Sequence, residues 1–176
     1  MDLFEALQER RSIRKYKTDP IPEEKLTKIL EAARIAPSWA NKQCWSFIVV
    51  KDENKRNQLA DALPDGNPAN KAIRQAPVTI VACGDPSASG KIDGKEYYLL
   101  DTGLAMQQLM LAAHSEGLGS CWVAWFDEKS VRDILSIPEE EKVVALTPLG
   151  SPAKEGTVTP RKGLDEMVYQ EQWGNK

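Results

Sequence analysis

The sequence predicts a single domain of the α+β or α/β class, an α/β-type sandwich in which helices cover a sheet of at least four strands. Its 176 residues are enough to bury one sizeable core. Helical and strand patterns alternate along the whole chain, and we find no internal repeat or low-complexity linker. The predicted domain therefore spans residues 1–176, and residues 151–176 form an extended C-terminal segment.

Six helices are predicted from apolar periodicity and from the residues that begin and end them. In the second, apolar residues recur at i, i+3, i+4 and i+7 from Leu26 to Ala33 and so share one face. Its start is marked by prolines and acids in Pro20–Glu24, which favour a helix N-terminus. The predicted helices are 2–10, the segment from Pro20–Glu24 to just before Pro37, 53–63, a short helix ending at Gln75, 96–116 and 127–135.

Four short runs rich in β-branched and apolar residues predict the strands, at 46–51, 77–83, 120–126 and 142–149. Residues 84–95 carry glycine, proline and serine between charged residues, a composition typical of a loop.

The helix predicted at 96–116 is apolar around nearly its whole circumference, so it must be buried on all sides. Two arrangements would bury it: a second subunit covers one flank, or a single chain encloses it. The C-terminal segment 151–176 also carries apolar residues, among them Met167 and Trp173, that need a surface to cover. We therefore expect this segment to wrap a partner subunit.

The charge balance is mildly acidic, because 23 basic and 26 acidic side chains give a formal charge of −3. Nucleic-acid-binding domains are usually strongly basic. A basic arm at Arg10–Lys17 that binds DNA or RNA would have to be exposed, and its affinity would fall steeply with salt. No run approaches the roughly 18 apolar residues of a membrane helix, and the acids of Met1–Glu5 do not resemble a signal peptide. We predict a cytoplasmic protein that binds neither nucleic acid nor membrane.

The three cysteines are odd in number and share no metal-ligand spacing. Because each sits among apolar or aromatic residues, Cys44, Cys83 and Cys121 are predicted to be reduced, buried thiols. His114, the only histidine, has no second histidine or cysteine pair to complete a metal site. No metal site is predicted.

The stretch Arg10–Arg14 places three arginines and Ser12 within five positions, beside the apolar stripe of the first helix. Arginine grips phosphate bidentately and a serine hydroxyl can donate a further hydrogen bond, so the cluster suggests a site for a phosphorylated ligand. The alternative stays open at this point, because a basic run near an N-terminus is more often a solvated surface. The chain contains neither a Walker loop nor a Gly-x-Gly-x-x-Gly turn between a strand and a helix. A mononucleotide such as FMN, held by side chains, therefore remains.

Four segments in order along the chain resemble the nitroreductase family of flavoproteins. They are Arg10–Tyr16 after the first helix, Ala36–Phe47 leading into a strand, Gly117–Ser120 after the long helix, and Thr159–Glu166 near the C-terminus. The resemblance implies a mixed central sheet of four to five strands flanked by helices. It also implies a homodimer in which the C-terminal extension lies over the partner and FMN sits at the subunit interface.

The resemblance implies a phosphate site built from Arg10, Ser12 and Arg161. Arg11 would assist them or be only a neighbouring surface charge. Arg14 would approach the pyrimidine edge of the flavin, where a cation stabilises the negative charge of the reduced ring.

For the flavin ring, the resemblance implies a hydrogen bond from Asn41, with Ser38 beside it in the same loop. Trp122, Val123 and Ala124 match the strand whose backbone passes the isoalloxazine. The cofactor carries the redox chemistry, so we assign no catalytic side chain.

The function that the resemblance implies is an FMN-dependent oxidoreductase that passes reducing equivalents from NADH or NADPH to a nitroaromatic, quinone-like or other small conjugated acceptor. Two alternatives stay open: a specialised dehalogenase-like or flavin-fragmenting enzyme, and a non-catalytic FMN-binding protein. The sequence also departs from the family pattern, with Cys44 and Gly163 at positions where proline is common. The first departure is expected to make the turn less rigid and to place a thiol near the flavin.

Overall fold

The central sheet has four strands, and a separate two-stranded hairpin lies outside it in the computed structural model, which describes residues 1–176. The strands are β1 (Trp45–Val50), β2 (Val78–Gly84), β3 (Lys91–Ile92), β4 (Lys95–Glu96), β5 (Gly119–Ser120) and β6 (Lys142–Gly150). The sheet order is β1-β2-β6-β5, and every pair in it is antiparallel. One parallel bridge, between Ser12 and Ser120, attaches the N-terminal segment to the β5 edge.

Seven α-helices and one 3₁₀ turn complete the fold. The helices are α1 (Leu3–Glu9), α2 (Glu23–Arg34), α3 (Glu53–Asp61), α4 (Asn70–Gln75), α5 (Tyr97–Ser115), α6 (Glu128–Leu135) and α7 (Leu164–Met167), and the 3₁₀ turn is Trp39–Asn41. Aspartates begin three of the helices: Asp2, Asp52 and Asp127 each accept a hydrogen bond from a first-turn amide. None of the helices has the length and apolar character required to cross a lipid bilayer.

Two hydrophobic cores lie on opposite faces of the sheet. Successive residues of β2 alternate between them, as the two-residue repeat of a strand requires: Ile80 and Ala82 join one core, Val81 and Cys83 the other. Helices α2 and α5 cover the first face, and α3, α4 and α6 supply the second. The result is a three-layer α+β sandwich, which confirms the predicted fold class.

Helix α5 is enclosed on one side only. Its inner face is fully buried, from Ala105 to Ala113, but Leu99, Leu100 and Leu104 are exposed. Enclosure of this helix by its own chain is therefore wrong. The apolar stripe of α1, beside the arginine cluster, is exposed as well.

The strand predicted at 120–126 is much shorter than expected. After Ser120 only an isolated bridge, Val123 to Leu146, continues the ladder. The amide of Cys121 donates to the side-chain oxygen of Thr147 (3.2 Å) instead of a main-chain carbonyl, so the backbone leaves the sheet. Trp122–Ala124 is consequently an edge segment, not the regular strand that the sequence predicted.

The loop predicted at 84–95 ends in the β3–β4 hairpin. Its two turn residues, Asp93 and Gly94, have φ of 51° and 77°, the left-handed values that a tight two-residue hairpin turn requires.

Candidate functional site

The segment that carries the arginines is anchored along the β5 edge of the sheet. The amide of Ile13 donates to the carbonyl of Ser120 (2.9 Å), and the Tyr16 hydroxyl donates to the carbonyl of Ile13 (2.7 Å). Both Ile13 and Tyr16 are buried. The backbone of Arg10–Lys17 is therefore anchored to the sheet and is not a free arm, although the side chains of Arg14, Lys15 and Lys17 are exposed.

Four arginines, Arg10, Arg11, Arg14 and Arg161, form no ion pair with any carboxylate of the chain. Arg11 and Arg161 donate only to main-chain carbonyls next to them, those of Gln8 and Arg10 and those of Thr159 and Pro160. Burial lowers the pKa of Arg10, and the neighbouring charges of Arg11 and Arg161 lower it further. Arg10 and Arg11 are partly buried, whereas Arg14 and Arg161 are exposed. An anion such as a phosphate would stabilise this unneutralised group of cations.

A shallow pocket of about 140 Å³ lies next to this cluster, between Arg14 and the edge segment Cys121–Trp125. The Trp122 side chain is 38% exposed in the pocket wall. The structure thus brings Arg14 together with Trp122–Ala124 in the pocket, with Ser12 paired to Ser120 and Arg10 close to Cys121.

Asn67 and Cys121 belong to this region but were not singled out as site residues from the sequence. Asn67 lines the pocket, and its side-chain amide donates to the carbonyl of Trp125 (2.8 Å), which fixes the pocket wall. In the sequence it is one polar residue in a turn of glycine and proline. The buried Cys121 thiol faces Arg10 and Arg14; burial raises its pKa, and Arg14 opposes that rise.

Ser38 and Asn41 lie in a loop with an unusual backbone. Ala40, Asn41 and Gln43 all have positive φ, between 46° and 55°. The Ser38 hydroxyl oxygen accepts a hydrogen bond from the Gln43 amide (2.9 Å) and so closes the loop on itself. Non-glycine residues hold such conformations only when their surroundings enforce them, which is typical of functional loops.

The loop and the arginine cluster stand at diagonally opposite corners of the sheet. Trp45, which follows the loop, begins β1 and lies in register with Gly84 and Lys142, whereas Ser120 on the other edge pairs with Leu149. The two corners are about 25 Å apart, a diagonal that combines three inter-strand spacings across the sheet with the length of β6 along the strands. One chain therefore does not bring Ser38 and Asn41 to the ligand that its own arginines would hold.

Asp101 is the residue near this loop that sequence reasoning missed. It is 2% exposed, and its Oδ1 accepts a hydrogen bond from the Trp39 amide (2.9 Å). The second oxygen accepts from the Ser89 hydroxyl (3.0 Å) and lies 3.7 Å from the Cys44 sulfur. The signal in the sequence is that Asp101 is the one carboxylate within the apolar helix α5.

Cys44 lies at the end of the Ser38–Asn41 loop, at the corner of the sheet away from the arginine cluster. Its thiol is buried and points toward Asp101, and burial, together with the carboxylate, raises the pKa of Cys44 to about 11. The expectation that the Cys44 thiol lies near the flavin stays a prediction. All three cysteines are free and buried, as predicted.

Known proteins match the chain over nearly its full length. A family model described as the nitroreductase family matches residues 7–72 and 65–151. The chain belongs to the nitroreductase family. A nitroreductase family protein of Clostridium novyi NT is 40% identical, covers 99% of this chain and 97% of its own, and superposes with a TM-score of 0.85. The family and the fold predicted from the four sequence segments are both confirmed.

Proteins similar to this chain carry different activity names. A Methanothermobacter thermautotrophicus protein with the provisional name NADH dehydrogenase/NAD(P)H nitroreductase is 38% identical over 98% of this chain and 88% of its own length. An FMN-dependent nitroreductase of Clostridium difficile R20291 is 30% identical, with a TM-score of 0.84 over 97% of this chain and all of its own. The 5,6-dimethylbenzimidazole synthase of Rhodospirillum rubrum is 31% identical over 96% of this chain and 90% of its own length.

Proposed function

We propose that this nitroreductase family protein is an FMN-dependent oxidoreductase that takes reducing equivalents from NADH or NADPH and passes them to a small conjugated acceptor. Nitroaromatic and quinone-like compounds are the acceptor classes we expect. The observation that carries the proposal is the group of unpaired arginines beside the pocket of Arg14 and Trp122. FMN, when bound, supplies the hydride and electron transfer. The family membership and the names of its relatives agree with this chemistry.

The chain's own residues bind and orient the cofactor. Arg10 and Ser12 hold the phosphate, and Arg161 reaches it from the C-terminal segment. Arg14 lies at the pocket, where its charge stabilises negative charge on the pyrimidine edge of the ring. Arg11 is bonded to main-chain carbonyls and lines a different cavity, which favours its interpretation as a neighbouring surface charge.

We propose that the functional unit is a homodimer. Exposed apolar residues occupy one flank of α5, the outer face of α1 and the tail beyond residue 150. Burying these surfaces against a second copy removes apolar area from water, and it meets the expectation that helix α5 is buried on all sides. A two-fold partner also solves the geometric problem of the site, because its Ser38 and Asn41 loop can reach the flavin that this chain's arginines hold.

One alternative has a specific observation in its favour. The similarity to the 5,6-dimethylbenzimidazole synthase of Rhodospirillum rubrum favours a specialised enzyme as the second candidate, and a flavin-fragmenting reaction is the form we expect for it. Such an enzyme would consume its flavin, whereas a reductase returns it after each turnover. A dehalogenase-like enzyme and a non-catalytic FMN carrier remain further options, and a cytoplasmic location remains a prediction.

The decisive experiment is a visible absorption spectrum of the purified protein before and after addition of FMN and removal of the excess. A bound-flavin spectrum that bleaches with NADH or NADPH and returns on addition of a quinone or nitroaromatic supports the proposal. A colourless protein that refuses FMN overturns it. Flavin that binds without reduction indicates a carrier, and flavin that is lost during turnover indicates the fragmenting alternative.

A further inference from the structure

Asp101 is a buried carboxylate for which the proposed redox chemistry has no direct use. It is 2% exposed and forms no ion pair with a lysine or arginine. A buried charge without a cation must be held by hydrogen bonds. Asp101 accepts them from the Trp39 amide (2.9 Å) and the Ser89 hydroxyl (3.0 Å), which belong to two different loops.

These two loops pack as one unit around the carboxylate. The amide of Asp85 donates to the Cys44 carbonyl (2.9 Å), so the end of one loop is bonded to the start of the other. A Cβ on Gly90 would lie 2.7 Å from the Trp39 indole, so Trp39 packs directly on the Gly90 backbone. Through these contacts, the position of Asp101 sets the position of both loops.

The hydrogen bond to Trp39 acts on the strained part of the loop. Trp39 directly precedes Ala40 and Asn41, whose φ values are 46° and 55°. Left-handed conformations of non-glycine residues cost roughly 1–3 kcal/mol each and persist only where the surrounding structure imposes them. The charge-assisted hydrogen bond from the Trp39 amide to Asp101 is such a constraint, and it fixes the orientation of Asn41 in the loop.

Asp101 also lies directly beneath the flank of α5 that we assign to the subunit interface. Leu100, its neighbour in the helix, is 56% exposed, whereas Asp101 points inward to the loops. We infer that Asp101 is a positioning residue through which α5 of one subunit sets the Ser38–Asn41 loop for the FMN site of the partner subunit. This inference rests on the proposed function.

Truncation of Asp101 tests whether the carboxylate positions the loop. Asp101→Ala removes the acceptor for the Trp39 amide and is expected to raise the Kd for FMN about tenfold to a hundredfold, the range for a hydrogen bond to a charged group. Asp101→Asn keeps an oxygen for that amide and should restore FMN affinity to within about threefold of wild type. Thr102→Val is the matched control, since Thr102 is equally buried on the same helix and its hydroxyl has no hydrogen-bond partner.

Mixed dimers test whether the effect crosses the subunit boundary. Co-expressed subunits with different tags, one Asp101→Ala and the other Arg10→Ala, are purified as heterodimers and titrated with FMN. If Asp101 acts on the partner's site, one of the two sites combines an intact arginine cluster with an intact loop. The heterodimer should then bind one FMN with wild-type affinity, although both parent homodimers bind weakly. If Asp101→Ala fails to fold, Asp101→Ser replaces it and is titrated with FMN in the same way.

The outcomes separate this inference from the proposed function. Wild-type protein that binds no FMN would overturn both. Wild-type binding together with a mixed dimer that binds no better than its parents would overturn the action of Asp101 across the interface alone. Equal affinity in Asp101→Ala and wild type, or an Asp101→Asn variant as weak as Asp101→Ala, would also overturn the positioning role.

Discussion

Arg10 offers the sharpest test of the cofactor site, because one substitution should change binding and stability in opposite directions. Arg10→Met keeps most of the apolar stem of the side chain and removes its charge. A hydrogen bond to a charged group contributes about 1.5–3 kcal/mol. Loss of this contact with the phosphate should therefore raise the Kd for FMN roughly 10- to 150-fold.

The same substitution should not destabilise the protein without cofactor. Burial, Arg11 and Arg161 all lower the pKa of Arg10, and no carboxylate compensates its charge. Removing the Arg10 cation removes its desolvation cost and its repulsion by Arg11 and Arg161. Because solvent screens a half-exposed group, we expect the free energy of unfolding to rise by only about 0.5 kcal/mol.

FMN fluorescence titration at two salt concentrations measures the first effect, and urea unfolding of the cofactor-free protein measures the second. Arg132→Met is a suitable control, since Arg132 is also partly buried but lies on α6 beside Glu128. Wild-type FMN affinity in Arg10→Met would refute the phosphate assignment. A loss of stability equal to the loss of binding energy would instead assign Arg10 to the fold.

Three further predictions address the interface, the loop unit and the buried thiol. Leu100→Lys places a charge on the exposed flank of α5 and should yield a monomer by sedimentation that no longer retains FMN; a flavin-bound dimer would contradict it. Gly90→Ala puts a Cβ 2.7 Å from the Trp39 indole and should cost about 1–3 kcal/mol in urea unfolding while weakening FMN binding. The pKa of the Cys44 thiol is raised from 9.0 to about 11, so this thiol should resist alkylation at pH 8. The stability that it contributes should be lost as the pH rises from about 9 to 11, because the thiol ionises first in the unfolded state. Rapid labelling of the native protein, detected by mass spectrometry, would contradict this prediction.

Local sequence patterns predicted correctly the helices and strands in which buried residues recur at a regular spacing. In α2 the apolar positions from Leu26 to Ala33 face the core, and β2 was predicted at 77–83 and lies at 78–84. Elements that depend on distant partners were predicted less well. The run at 120–126 has the composition of a strand, but the side chain of Thr147 replaces the ladder carbonyl opposite Cys121. No periodicity within 120–126 could reveal that replacement.

The site shows the same division between local and distant information. Arg10, Ser12 and Arg14 are neighbours in sequence, so the cluster could be recognised as a motif. The contribution of Asp101 depends on two loops that meet it from positions 39 and 89. The strand order determines which side chains share one ligand, and neither propensity nor hydrophobic pattern specifies that order.

The opposite-corner placement of the arginine cluster and the Ser38–Asn41 loop links cofactor retention to protein concentration. If a flavin contacts two chains, it stabilises their association, and association in turn raises the affinity for flavin by the same factor. Dilution of the protein below the dissociation constant of the dimer should therefore release FMN. This release should occur even when the free FMN concentration exceeds the Kd for FMN that is measured at high protein concentration. A newly made chain would remain without cofactor until it met a second copy, and the concentration of subunits would set the fraction able to carry electrons.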